Sequence, residues 1–172
     1  MYLKFIYVQY PLEALVFLAF IYLAFFGLMK RREPHKVLEL LVGLNILRFG
    51  GGAAALAVIG KSGASAFLTQ VAVGDCVTAV LAVIALVLLL RTSDKALPVV
   101  LVMNAVGLLD ILTSEAWIGH LELRGTVVRS TLIHGPSVGA ALYSALHVYI
   151  FIFVARAKSK SKTTTATRTV PA

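Results

Sequence analysis

Cysteine is almost absent: Cys76 stands alone in the 172-residue chain, so no intrachain disulfide can form and no cysteine-based metal or haem-attachment motif exists. Charge is scarce too. Only 14% of the residues are charged, against about 25% in soluble domains, which argues against an ordinary water-soluble fold. Eight acids face sixteen lysines and arginines, for a net charge of +8. No GxxxxGK[ST], HExxH or CxxC occurs, so nucleotide-binding, zinc-protease and dithiol signatures are excluded. Internal repeats are missing, and so are the ten-residue alternating segments of an outer-membrane barrel.

What fills the chain instead is apolar: 59% hydrophobic residues and a mean hydropathy of +0.90. In lipid each crossing must satisfy its own backbone hydrogen bonds, which leaves helices. The runs predict an all-α integral membrane bundle of five transmembrane helices over about 11–29, 36–59, 66–90, 96–114 and 130–154. Residues 115–129 mix Trp117, Ile118 and Leu121 with Glu115, His120 and Arg124, and predict a short interfacial segment between the fourth and fifth helices. One domain covers 1–155, and 156–172, polar and basic, reads as a disordered cytoplasmic tail. The first run is too long for a cleavable signal peptide and ends in Lys30-Arg31-Arg32 instead of small residues.

The basic residues orient the bundle. Lys30, Arg31, Arg32, Lys36, Arg91, Lys95, Arg156, Lys158, Lys160, Lys162 and Arg168 fall on one side, and Lys4, Lys61, Arg124 and Arg129 on the other. By the positive-inside rule the crowded side is cytoplasmic, which predicts a multi-pass protein of the cell's inner membrane with Met1 outside and Ala172 inside. Topology thus accounts for the net charge without nucleic acid, and the expected partners are the lipid bilayer, anionic headgroups at the tail and a second copy of the chain.

Inside the apolar runs lie polar residues that need company. Asp75 sits well within the third span, and a carboxylate there costs several kcal/mol unless a partner or water meets it. Counting along the helices puts Arg48 roughly 18 Å and Asp110 roughly 20 Å from the cytoplasmic edge, with Asp75 at a similar level. A buried polar cluster of Arg48, Asp75 and Asp110 follows, joined by Asn45, Asn104, His134 and His147 on inward arcs. Gly50-Gly51-Gly52 reads as a place of tight helix packing. The competing reading of all these groups is that they only hold helices together.

No metal or other cofactor is predicted. His134 and His147, thirteen apart, have the spacing of paired haem ligands in membrane cytochromes, but haem also needs histidines on a second helix, and His35 and His120 fall in expected loops. GDCVTAVLAVIAL, MNAVGLLDIL and HVYIF, in the third, fourth and fifth spans, resemble stretches of small uncharacterised multi-pass membrane proteins of bacteria. That resemblance groups Asp75, Asn104, Asp110 and His147 as one polar set and implies no activity. Three functions are compatible with the chain: transport or permeation of a proton, cation or small polar solute, an accessory or assembly subunit, and a membrane-embedded enzyme. Without a metal motif the enzyme is the weakest of them, and transport is the leading expectation. Reporter fusions after Arg32, Gly63, Asp94, Arg124 and Lys162 should read inside, outside, inside, outside and inside; two neighbouring fusions on one side would overturn the five-span order.

Overall fold

The computed structural model describes residues 10–31, 33–59, 65–123 and 134–167, and all of its regular structure is helical. Helix α1 is Tyr10–Arg31, with Pro11 in its first turn, where the missing N–H costs nothing. α2 is Pro34–Leu44 and begins on Pro34 for the same reason. A single 3-10 turn, Asn45–Leu47, joins it to α3, Arg48–Val58, so the second apolar run is one rod with a tightened middle. The cause is local: the Asn45 side chain donates back to Leu41 O at 3.1 Å, a bond that competes with regular helix. α4 is Ser65–Leu90, α5 is Ala96–Leu123 and α6 is His134–Thr167.

Among the described residues four stretches are long and apolar enough to cross a membrane: Pro34–Val58, Ala66–Leu90, Ala96–Trp117 and Val138–Arg156. In α1 the described apolar stretch is Pro11–Phe25, so length and composition mark four of the five expected spans among these residues. Two expectations change. Residues 115–123 prolong α5 instead of forming a separate interfacial segment, because neither proline nor a turn sequence breaks the helix after Ser114; 124–129 lie outside the described residues. Likewise α6 runs on to Thr167, through residues whose composition predicts disorder.

Packing follows from side-chain size. On α4 the buried face is Ala72, Ala79, Ala82 and Ala85, while Val73, Val77, Val80, Ile84 and Val87 point outward. Small residues inside and branched ones outside is the arrangement that lets helices approach closely where the surroundings are as apolar as the core. α4 therefore lies between α3 and α5, α6 packs on α5, and α1 lies along α6. The bundle has two distinct ends, one where α4 ends and α5 begins, here the Arg91 end, and one where α4 begins, the Ser65 end. An apolar core of Val37, Leu41, Ala85, Val100, Met103 and Ile150 fills the half toward Arg91.

The turn at Arg91 is held by backbone bonds. Ser93 N donates to Leu88 O at 3.0 Å and Thr92 N to Leu89 O at 2.9 Å, the paired bonds of a Schellman ending with Thr92 in the position that usually holds glycine. Thr92 accordingly has φ of 50°. His35, expected in a loop, stands in the first turn of α2, where its Nε2–H donates to Leu89 O at 2.8 Å and ties α2 to this turn. A β-branched residue in left-handed backbone costs about 1–2 kcal/mol. Part of that is returned through the looser unfolded chain, so Thr92→Gly should stabilise the protein by about 1 kcal/mol, read as a rise in thermal midpoint in detergent.

Candidate functional site

Arg48 opens α3 just past the 3-10 turn, with its side chain only 3% exposed. Its guanidinium reaches three other helices. Nε donates to Asp75 Oδ1 on α4 at 2.7 Å, and Nη2 to Asp110 Oδ2 on α5 at 2.5 Å. Nη1 lies 3.2 Å from both Gly107 O on α5 and His147 Nε2 on α6. One cation thus meets two carboxylates, the only ion pairs it makes among the described residues.

The histidine's state follows from its partners. Arginine has no acceptor, so His147 Nε2 accepts from Nη1 and must be unprotonated. Its proton then sits on Nδ1, which donates to Asn104 Oδ1 at 2.7 Å, while Asn104 Nδ2 donates to the His147 carbonyl at 2.8 Å. That closed pair fixes the ring, and His147 and Asn104 are both fully buried. With both nitrogens engaged, His147 offers no lone pair to an axial iron. Tyr143, one turn earlier on α6, places its ring 5.6 Å from the Arg48 guanidinium carbon, a cation–π contact on the face the acids leave uncovered.

Three glycines make room for these groups. A Cβ on Gly51 would strike the Asp75 carboxylate, one on Gly74 the Asp110 carboxylate, and one on Gly107 the His147 ring and the Thr78 methyl. Each polar group of α4, α5 and α6 therefore seats on a glycine of the preceding helix. Glycine inside a helix costs about 1 kcal/mol relative to alanine, a cost that close approach explains here. By contrast a Cβ on Gly43 or Gly50 meets nothing within 4 Å.

Of the residues expected to cluster, the structure brings together Arg48, Asp75, Asp110, Asn104 and His147. Asn45 does not join them: it is fully buried, one turn before Arg48, and bonds its own helix. His134 is the first residue of α6, and its side chain lies outside the described residues. The tight packing expected at Gly50-Gly51-Gly52 holds at Gly51 and Gly52 but not at Gly50; sequence reasoning missed the seats at Gly74 and Gly107 and the Tyr143 contact. The available signal was glycine placed on the polar arcs, at Gly74 beside Asp75 and at Gly107 one turn from Asp110. No group of three or more His, Cys, Asp or Glu among the described residues is placed to hold a metal ion.

Breaking such a pair leaves buried charge uncompensated, so Arg48→Ala should cost about 3–5 kcal/mol. Gly107→Ala should also destabilise, by about 1–3 kcal/mol through overpacking, whereas Gly50→Ala should be neutral or stabilising by up to about 1 kcal/mol. Thermal unfolding of the three variants in one detergent checks this; equal losses for Gly107→Ala and Gly50→Ala would mean that the seat at Gly107 is not needed.

No curated protein and no solved structure matches the chain. A protein family, described as Domain of unknown function (DUF8737), matches residues 5–155, which takes in α1 to α5, the polar layer and α6 as far as the turn before Arg156. A match over that much of the chain makes the protein a member of this domain family.

Proposed function

We propose that this is a small five-span membrane protein whose Arg48–Asp75–Asp110–His147 layer binds a proton or a small cation in transit across the membrane. The observation that carries the reading is the charge count at the layer: one guanidinium holds two carboxylates, through one oxygen of each. With both acids ionised the layer is one charge short of neutral, and an uncompensated charge in low dielectric costs several kcal/mol. A proton or monovalent cation supplies the missing charge. Binding and release of that charge is the elementary step of transport through such a site, as in the acid and histidine relays of pumps.

α1 is the fifth span in this reading. Its 22 residues rise about 33 Å, enough for the roughly 30 Å hydrocarbon core. The Arg91 end, where Lys30, Arg31, Lys36, Arg91 and Lys95 gather, faces the cytoplasm of a cell with this protein in its inner membrane, and the N-terminus is outside. Arg156, Lys158, Lys160 and Lys162 follow the last span and rest on anionic headgroups. A chain this small moves its cargo as an assembly of copies.

A second reading is favoured by a different feature. Because Arg48 bonds α4, α5 and α6 at once, the layer also locks helix register, as an assembly subunit would require. Reconstitution separates the two. Vesicles holding a pH-sensitive dye and an imposed potential should acidify at least about tenfold faster with protein than without, and Asp110→Asn should remove most of the gain. Equal rates with and without protein, measured for protons and for sodium and potassium, would leave the register lock as the function of the layer.

A further inference from the structure

The buried side chains are divided unevenly about the Arg48 layer. Toward the Arg91 end Asn45, Thr78 and Asn104 lie buried within two turns of the layer, and beyond them the helices turn apolar, with Leu41, Met103, Val100 and Ile150 each at 0% exposure. Ala82 and Ala85 of α4 complete that half, likewise at 0%. From Ala82 to Leu89 this dry stretch is roughly 10 Å long, a barrier to any charge.

Toward the Ser65 end the α4–α5 seam is polar. Gln70 Nε2 donates to Thr113 Oγ1 at 2.9 Å, and that hydroxyl turns to the carbonyls of Leu109 and Asp110, both at 2.9 Å. Ser114 and Glu115 follow, at 9% and 7% exposure. Gln70 stands one turn from Gly74, which seats the Asp110 carboxylate, so the polar seam runs up to the acids themselves. The acids are also the open side of the layer: the Asp75 and Asp110 side chains keep 15% and 9% exposure where Arg48 keeps 3%.

We infer that Asp75 and Asp110 are reached from the Ser65 end alone, along the Gln70–Thr113–Ser114 seam, and that the apolar half around Leu41, Met103 and Ile150 closes the layer toward the Arg91 end. The route delivers small cations, hydronium included, since its walls present hydroxyl, amide and carbonyl oxygens ending at two carboxylates. What it carries rests on the cation-binding reading above; where it opens does not. The charge bias of the loops makes the Ser65 end the outer face, so the protein takes its cation from outside.

Thiol accessibility tests the route without any transport assay. In a Cys76→Ser background, Thr113→Cys, Ser114→Cys, Val100→Cys and Met103→Cys are exposed to a charged, membrane-impermeant methanethiosulfonate in right-side-out and inverted vesicles, with a tag after Lys162 reporting orientation. Only a thiolate reacts, so a thiol facing lipid stays silent while one in a hydrated seam is modified. Thr113→Cys and Ser114→Cys should react from the Ser65 face at least about tenfold faster than Val100→Cys or Met103→Cys from either face. Reaction of Val100→Cys or Met103→Cys from the Arg91 face, or equal rates at all four, would overturn the inference. The unsubstituted protein supplies a second measurement through Cys76, half-buried beside Asp75: faster reaction from the Ser65 face supports the route, and equal or faster reaction from the Arg91 face overturns it. A one-sided pattern with no cation flux would keep the route and remove the cargo, so the two readings fail separately.

Discussion

A guanidinium shared by two carboxylates in an apolar bundle constrains every helix around it. Each partner of Arg48 must stay within hydrogen-bond reach, because a charge left alone there costs several kcal/mol. α4, α5 and α6 are therefore fixed in register against α3 at one level. The 3-10 turn at Asn45–Leu47 directly precedes Arg48 on the same rod, so the backbone twist that sets where the arginine points is itself set by the Asn45 bond to Leu41. His147 needs no charge to take part: as a neutral ring oriented by Asn104 it accepts from the arginine without adding to the positive count.

Space at that level comes from glycine. The polar groups of α4, α5 and α6 are too large for helices packed at alanine distance, and Gly51, Gly74 and Gly107 each give up the Cβ that would otherwise collide. Toward the Arg91 end of α4 alanine is enough, since Ala82 and Ala85 meet only apolar side chains there. The bundle thus uses two grades of small residue: alanine where helices touch, and glycine where a charged or aromatic polar group must fit between them.

The polar layer also divides the molecule. On one side, beyond Asn45, Thr78 and Asn104, an apolar core closes around Leu41, Met103 and Ile150; on the other the α4–α5 seam keeps amide and hydroxyl groups up to the acids. A layer between two such halves is asymmetric by construction.

Much of this was legible in the amino-acid order. Helical class, membrane character and the pairing of Arg48 with Asp75 and Asp110 follow from long apolar runs and from depth along a helix of fixed rise, quantities that depend on the chain alone. Grouping Asn104 with His147 followed from their arcs and from the resemblance of their stretches. Where each helix stops was less legible. The prolonged α5 and α6 carry polar residues that propensity tolerates and composition scores as loop or tail. Tertiary structure alone decided that Asn45 bonds its own helix, that His147 carries its proton on Nδ1, that Tyr143 covers the arginine and that Gly74 and Gly107 are seats. Those facts depend on which atoms of neighbouring helices come within about 3 Å, a distance set by helix rotation and separation, and no spacing along one chain specifies either.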